Sequence, residues 1–150
     1  MSRFRTYMPL ALEQARAAGL RGEVPVGAVI VSDAGEVIAA AGNRTRELSD
    51  PTAHAEMLAI RAACAALGQE RLTGHDLYVT LEPCPMCAMA ISHARIRRLY
   101  FGAADPKSGG IGQGPRIFAH AQCHHTPEVY DGIDAEDAQA LLQDFFARLR

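Results

Sequence analysis

Two short motifs bring together the residue types that bind transition metals: His54-Ala55-Glu56 and Pro83-Cys84-Pro85-Met86-Cys87. One imidazole and two thiolates form a three-ligand set suited to catalytic Zn²⁺, which keeps its fourth position open for water; the two thiolates also balance its charge. A structural site would want a fourth protein ligand, and no spare cysteine is placed to be one. Three residues apart on a helix, Cys84 and Cys87 share a face, and at a helix start the dipole and unpaired N–H groups favour thiolate. Glu56, two residues after His54, points away from it at a large angle. Its carboxylate is therefore reserved for proton transfer rather than ligation. The chemistry implied is hydrolysis: a metal lowers the pKa of water toward neutrality, and Glu56 moves the protons. His54, Cys84 and Cys87 are the expected ligands of one Zn²⁺ per subunit, and Glu56 is the expected catalytic residue.

The elements that must position these motifs follow from hydrophobic period and breakers. Phe4, Met8, Leu12 and Ala15 lie at helical spacing, so a helix is expected from Arg3 to Gly19, ended by Gly19 and Gly22. Val24 to Val31 reads as a strand, Asp33-Ala34-Gly35 as a turn, and Glu36 to Ala41 as the returning strand of a hairpin. Asp50-Pro51-Thr52 is expected to start a helix that reaches Leu67, with Gly68 beyond it. Asp76 to Leu81 reads as a buried strand, Pro85 to Ala94 as a helix with proline in its first turn, and Arg97 to Phe101 as a strand. The glycine- and proline-rich stretch from Gly102 to Pro127 reads as a long functional loop. Glu128 to Tyr130 reads as a last short strand, and Asp134 as the cap of a closing helix that ends at Arg150. Helices alternating with strands predict a three-layer α/β/α sandwich, and the opening hairpin makes its five-stranded sheet mixed.

The chain has 150 residues, 49% of them hydrophobic, the size of one ordinary domain spanning 1–150. No apolar run is long enough to span a bilayer, and no secretory signal is legible, so the expected address is the cytoplasm and no membrane partner is expected. The cysteines are Cys64, Cys84, Cys87 and Cys123. Close Cys-x-x-Cys spacing in a reducing compartment points to a metal or redox site. A net charge of −2 is not the bulk basicity of a nucleic-acid binder, so any RNA contact must be local.

With both motifs in place, the sequence resembles the cytidine-deaminase-like superfamily, whose zinc deaminases carry H-x-E…P-C-x-x-C. Within it the resemblance is to bacterial tRNA adenosine deaminases, which form inosine at the anticodon wobble position. It extends over Gly22-Glu23-Val24-Pro25-Val26-Gly27-Ala28-Val29, Gly42-Asn43-Arg44, Asp50 to Glu56, Leu77 to Cys84, Met86-Cys87-Ala88, Phe101-Gly102-Ala103 with Asp105 and Lys107, and Asp144-Phe145-Phe146. The resemblance implies that Asn43 hydrogen-bonds the target nucleoside, though a turn Asn after a strand is the bland alternative. It implies an apolar wall of Pro25 and Val26 for the extruded base, against simple strand core. It places Asp105 and Lys107 in a loop touching the anticodon, against a solvated loop. It places Phe145 and Phe146, with Arg148 and Arg150, at an aromatic and basic edge near the RNA. Neighbouring aromatics on a helix cannot share a face, so at least one of them is expected in the core.

The partner implied is a tRNA anticodon stem-loop, and the assembly implied is a homodimer, the commonest closed symmetry. Two rivals remain: a zinc deaminase of free guanine, cytosine or a nucleoside, and a zinc-stabilised RNA-binding module without catalysis. Glu56 argues against the second, which needs no carboxylate there. His75 and His93 read as surface or helix-end residues, and Cys64 as packing. Arg95, Arg97 and Arg98 read as a solvated face or a dimer edge. Cys123, His124 and His125 have no assigned role. His124-His125 stands where many members carry Asn-His, and Pro106, Pro127 and the stretch from Gly112 to Ala121 also depart from the common pattern.

Overall fold

The computed structural model describes residues 6–149. The expected helix start at Arg3, its contact residue Phe4 and the C-terminal Arg150 therefore lie outside the described residues. The elements are α1 (Met8–Leu20), β1 (Gly27–Val31), β2 (Val37–Gly42), α2 (Ala55–Leu67), β3 (Asp76–Leu81), α3 (Pro85–His93), β4 (Arg98–Ala103), a 3₁₀ turn (Ile117–Ala119), β5 (Glu128–Tyr130) and α4 (Ala135–Arg148). The strand order is β2-β1-β3-β4-β5. β1 pairs antiparallel with β2 and β3, while β3–β4 and β4–β5 are parallel. This is the mixed five-stranded α/β sandwich that the pattern of elements predicts.

Strand alternation divides the core into two layers. Ala28, Ile30, Leu77, Val79, Leu99 and Phe101 pack with Ala55, Ala59 and Ala63 of α2 and Ile91 of α3. Val29, Val31, Tyr78 and Tyr100 pack on the opposite face with Met8, Ala11 and Leu12 of α1 and Ala138 of α4. Both faces of β1, β3 and β4 are thus covered, which is why these strands read as continuous apolar runs. Two glycines let α1 lie close on the hairpin. Gly27 pairs with Gly42 in the β1–β2 register. A Cβ on Gly42 would lie 2.7 Å from the Gln14 carbonyl oxygen, and one on Gly27 would strike the α1 backbone.

Several boundaries move from the sequence reading. α1 begins at Met8, with Pro9 in its first turn, and runs through Gly19 to Leu20; Gly22, at φ 85°, makes the turn after it. β1 begins at Gly27 rather than Val24. α2 begins at Ala55 rather than near Asp50, because Asp50 Oδ1 accepts both the Thr52 N–H (2.9 Å) and the Thr52 hydroxyl (2.7 Å) and holds a turn there. Asp134 stands at the N-cap of α4, but in the left-handed region and without a side-chain cap bond. The arginines after α3 brace the sheet: Arg97 makes a two-pronged pair with Asp76 at 3.0 Å, and Arg98 reaches Glu128 at 2.9 Å.

Candidate metal centre and the clefts beside it

Each motif sits at a helix N-terminus. His54 is the N-cap of α2 (φ −72°, ψ 152°) and Cys84 the N-cap of α3 (φ −70°, ψ 170°). The extended backbone at both caps turns the side chains out toward a common point. Pro85 follows as the first helical residue, where a missing N–H removes no helix bond. Cys87, one turn into α3, is fully buried. His54 Nδ1 lies 3.6 Å from Cys84 Sγ and 3.5 Å from Cys87 Sγ. The three ligand atoms lie within 4.8 Å of one another, and among the described residues no other His, Cys, Asp or Glu group is gathered this way. One imidazole and two sulfurs converging on a point, with no fourth side chain, fit an open tetrahedral zinc site.

The electrostatics favour a cation there. Cys84, hydrogen-bonded by Cys87 and by His54, is held as a thiolate with its pKa down to about 4. His54 is raised by its bond to Cys84, and Cys87 is raised by its own bond to Cys84 together with burial. Glu56, in the first turn of α2, is 4% exposed. Burial pushes its carboxyl up to about 7, opposed by its own backbone N–H and by the charge of His54. A buried carboxyl this close to neutrality can both accept and return a proton.

Asn43 is tied to the centre by a bond that its residue type alone did not reveal. Its Oδ1 accepts the Ala55 N–H at 2.8 Å, satisfying the first orphan donor of α2 beside His54. That bond fixes the amide's orientation and leaves the Nδ2 donors to face other groups.

Two buried carboxylates organise the surrounding loops, and the sequence reading assigned neither. Glu23, 1% exposed, accepts the Arg46 N–H at 3.1 Å and the Glu47 N–H at 2.8 Å, fixing the loop that follows Asn43. Burial raises its pKa, but those main-chain bonds outweigh it and the net effect is a lowered value. Glu82, 3% exposed, accepts the N–H of Asp105 (3.0 Å) on Oε1 and those of Ile111 (3.1 Å), Gly112 (3.0 Å) and Gln113 (3.2 Å) on Oε2. The family-like Leu-Glu-Pro-Cys run held the only sequence signal: a charged residue between a buried strand and a metal motif.

The other expected residues fall into two clefts flanking α4. Asp105, Lys107 and Phe146 line one of about 550 Å³ with Val24 and Leu81. Pro25 and Phe145 line another of about 240 Å³ with Arg16 and Arg148. Pro25 and Val26 thus face different surroundings, Val26 joining the core layer that contains Ala55. Phe145 and Phe146 touch edge to face at 5.4 Å; Phe145 is half-buried and Phe146 47% exposed, so neither is a core residue. The two rings line different clefts, Phe145 the smaller and Phe146 the larger. Cys123 Sγ lies 3.3 Å from the Ser92 hydroxyl and 3.2 Å from the His125 carbonyl, which accepts the Ser92 hydroxyl at 2.7 Å, and His125 Nε2 meets the Ile96 carbonyl (2.7 Å), so these residues pin the long loop to α3 and the turn after it. Cys64 is half-buried against the core, and His93 is exposed.

Comparison with known proteins agrees with this geometry. Residues 1–103 match the cytidine and deoxycytidylate deaminase zinc-binding region. A tRNA-specific adenosine deaminase of Agrobacterium fabrum is 61% identical over 144 residues, covering 96% of this chain and 94% of that protein. A solved structure from studies of A-to-I editing by tRNA:A34 deaminases at the wobble position superposes with a TM-score of 0.89 at 62% identity, covering 91% of this chain and 98% of that one. The guanine deaminase of Nitrosomonas europaea superposes with a TM-score of 0.81 at 26% identity, over 93% of this chain and 82% of that one. The metal motifs, the sheet and these relatives together place the chain in the zinc-binding cytidine and deoxycytidylate deaminase family, among the tRNA-specific adenosine deaminases.

Proposed function

We propose that this chain is a zinc-dependent hydrolase that converts adenosine to inosine at the wobble position of a tRNA anticodon. The observation that carries the chemistry is the convergence of His54 Nδ1, Cys84 Sγ and Cys87 Sγ, with Glu56 buried in the first turn of the same helix that His54 caps. The substrate follows from the 61% identical relative. Zinc held by the three ligands supplies Lewis acidity that makes water a nucleophile at neutral pH. Glu56 takes the proton of the attacking water and gives it to N1 of adenine as the C6–O bond forms. A second proton passes from the added hydroxyl through Glu56 to the exocyclic amine, and the C6–N bond breaks. Adenosine and water give inosine and ammonia. Asn43 Nδ2 meets the nucleoside while Oδ1 caps α2. Val26 backs the base, and Pro25, Asp105, Lys107, Phe145 and Phe146 receive flanking nucleotides in the two clefts. A loop substrate suits this site because its bases need no duplex opening.

The chain acts as a single domain over 1–150 and as a closed two-fold homodimer in the cytoplasm. No helix among the described residues is long and apolar enough to cross a membrane. Light scattering should return twice the chain mass; a monomer at working concentration overturns the dimer.

The guanine deaminase neighbour makes a free base the one competing substrate. Ammonia release from an anticodon stem-loop with adenosine at the wobble position, measured beside release from guanine and cytosine, separates them. Turnover of the stem-loop alone is expected. Turnover of only the free bases would overturn the RNA assignment.

A further inference from the structure

We infer that Glu82 is a positioning residue that locks the 105–113 loop onto the metal-bearing turn and so sets the RNA side of the substrate cleft. This deepens the proposed function and rests on it for its substrate. Glu82 follows β3 and stands two residues before Cys84, so one strand end carries both a metal ligand and the loop's anchor. Its two oxygens accept four main-chain N–H bonds, three of them from consecutive residues 111–113 converging on Oε2. Consecutive N–H groups aimed at one anion make a nest, here filled by the protein's own carboxylate. Charge-assisted bonds of this kind are about twice as strong as neutral ones.

The loop is shaped to receive that carboxylate. A Cβ on Gly109 would lie 2.6 Å from Glu82 Cδ, and one on Gly110 would lie 2.6 Å from the Pro85 nitrogen and 2.9 Å from the Cys84 carbonyl carbon. The Gly110 N–H donates to the Pro83 carbonyl at 2.8 Å. Two glycines thus permit the loop to rest on the Pro83-Cys84-Pro85 turn itself. The same loop presents Asp105, Lys107 and Ser108 to the cleft of about 550 Å³ opposite Phe146. Fixing Gly109 to Gln113 on Glu82 fixes how far Lys107 stands from the metal centre. Binding of an extended RNA depends on that distance. The proton transfers at Glu56 do not.

The test uses the zinc-loaded full chain as wild type, Glu82→Gln, Glu82→Asp and Gly109→Ala. In Glu82→Gln the amide NH₂ must face either Asp105 N–H or the 111–113 nest, so one set of donors loses its acceptor. Hydrogen exchange at Ile111, Gly112 and Gln113 is expected to quicken by about tenfold or more, while β3 and α2 amides and zinc content stay as in wild type. KM for the stem-loop is expected to rise about tenfold with kcat within about threefold. Glu82→Asp, which keeps both oxygens, should retain more protection than Glu82→Gln. Gly109→Ala sets a methyl against the Glu82 carboxylate from the loop's side of the same contact and should reproduce the KM effect with Glu82 itself unchanged, which decides the matter if Glu82→Gln does not fold. Wild-type exchange in Glu82→Gln, an unchanged KM in Gly109→Ala, or a fall of kcat and zinc content together at constant KM would overturn the inference. Failure of the wild type to act on the stem-loop would overturn the substrate assignment instead, and the exchange comparison would still decide whether Glu82 anchors the loop.

Discussion

Glu56 and Glu82 are both buried at the ends of the strand–helix junctions that form the metal centre, 4% and 3% exposed, yet their surroundings differ in kind. Glu82 meets four main-chain N–H groups. Glu56 meets its own backbone N–H and the Cys87 thiol, and burial raises its pKa to about 7. A carboxylate taken out of water loses several kcal/mol of hydration unless donors replace it. Four main-chain donors make Glu82 a structural anchor, whereas Glu56, with only its own N–H from the backbone, has its pKa raised by burial and is available for proton transfer. Glu23 belongs with Glu82 as an acceptor of loop N–H groups, and at Glu23 those donors win over burial and lower the pKa.

The sharpest way to break this contrast is at Glu56. Glu56→Gln keeps the shape and removes the titrating proton. General acid–base catalysis contributes about 10²–10⁴-fold, so ammonia release should fall by about that factor. Metal analysis should still find one zinc per chain, because the three ligand atoms are left intact. Loss of the metal in this variant would make Glu56 a structural residue and erase its difference from Glu82.

The anchor side of the comparison is tested by stability at Glu23. Glu23→Ala leaves the Arg46 and Glu47 N–H groups without their acceptor and should cost about 1–3 kcal/mol, read from denaturant unfolding. The folded pKa is lowered from 4.5, so this stabilisation is complete above that unfolded value and is lost as pH falls through the folded one. Glu23→Gln should therefore flatten the acid side of a Tm-against-pH curve. An unchanged slope below about pH 4.5 would mean that Glu23 is no anchor.

The same contrast governs what the sequence made legible. The metal centre was readable because its ligands sit at fixed short spacings inside helix starts, so His54, Cys84 and Cys87 declare themselves locally. β3 and β5 were readable because a run such as Asp76–Leu81 has clear ends. The anchors were not readable, since Glu82 bonds amides 23 to 31 positions away and Glu23 bonds amides 23 and 24 positions away, in loops with no periodicity. The start of α2 was misplaced because Asp50 caps a turn with the same chemistry that caps a helix. Phe145 and Phe146 escaped the helical-face argument because each lines a cleft beside α4, so neither face puts its ring in the core.

Asn43 stands between the two classes, and the smallest expected effects fall there. Its Oδ1 anchors the Ala55 N–H at 2.8 Å, as Glu82 anchors its loop, while its Nδ2 is the group assigned to the nucleoside. Asn43→Ala removes both and should lower stability by about 1 kcal/mol, the usual cost of a lost cap. For a chain of this size that is a fall in Tm of roughly 2–4 °C. Asn43→Asp keeps an oxygen acceptor at the α2 N-terminus, where the helix dipole favours negative charge, and should leave Tm within about 1 °C of wild type. It abolishes the amide donor, so KM for the stem-loop should rise even though the helix start is intact. If Asn43→Asp instead binds substrate like wild type, Asn43 is an anchor alone, and recognition of the nucleoside rests on the groups that α2 and its preceding loop hold in place.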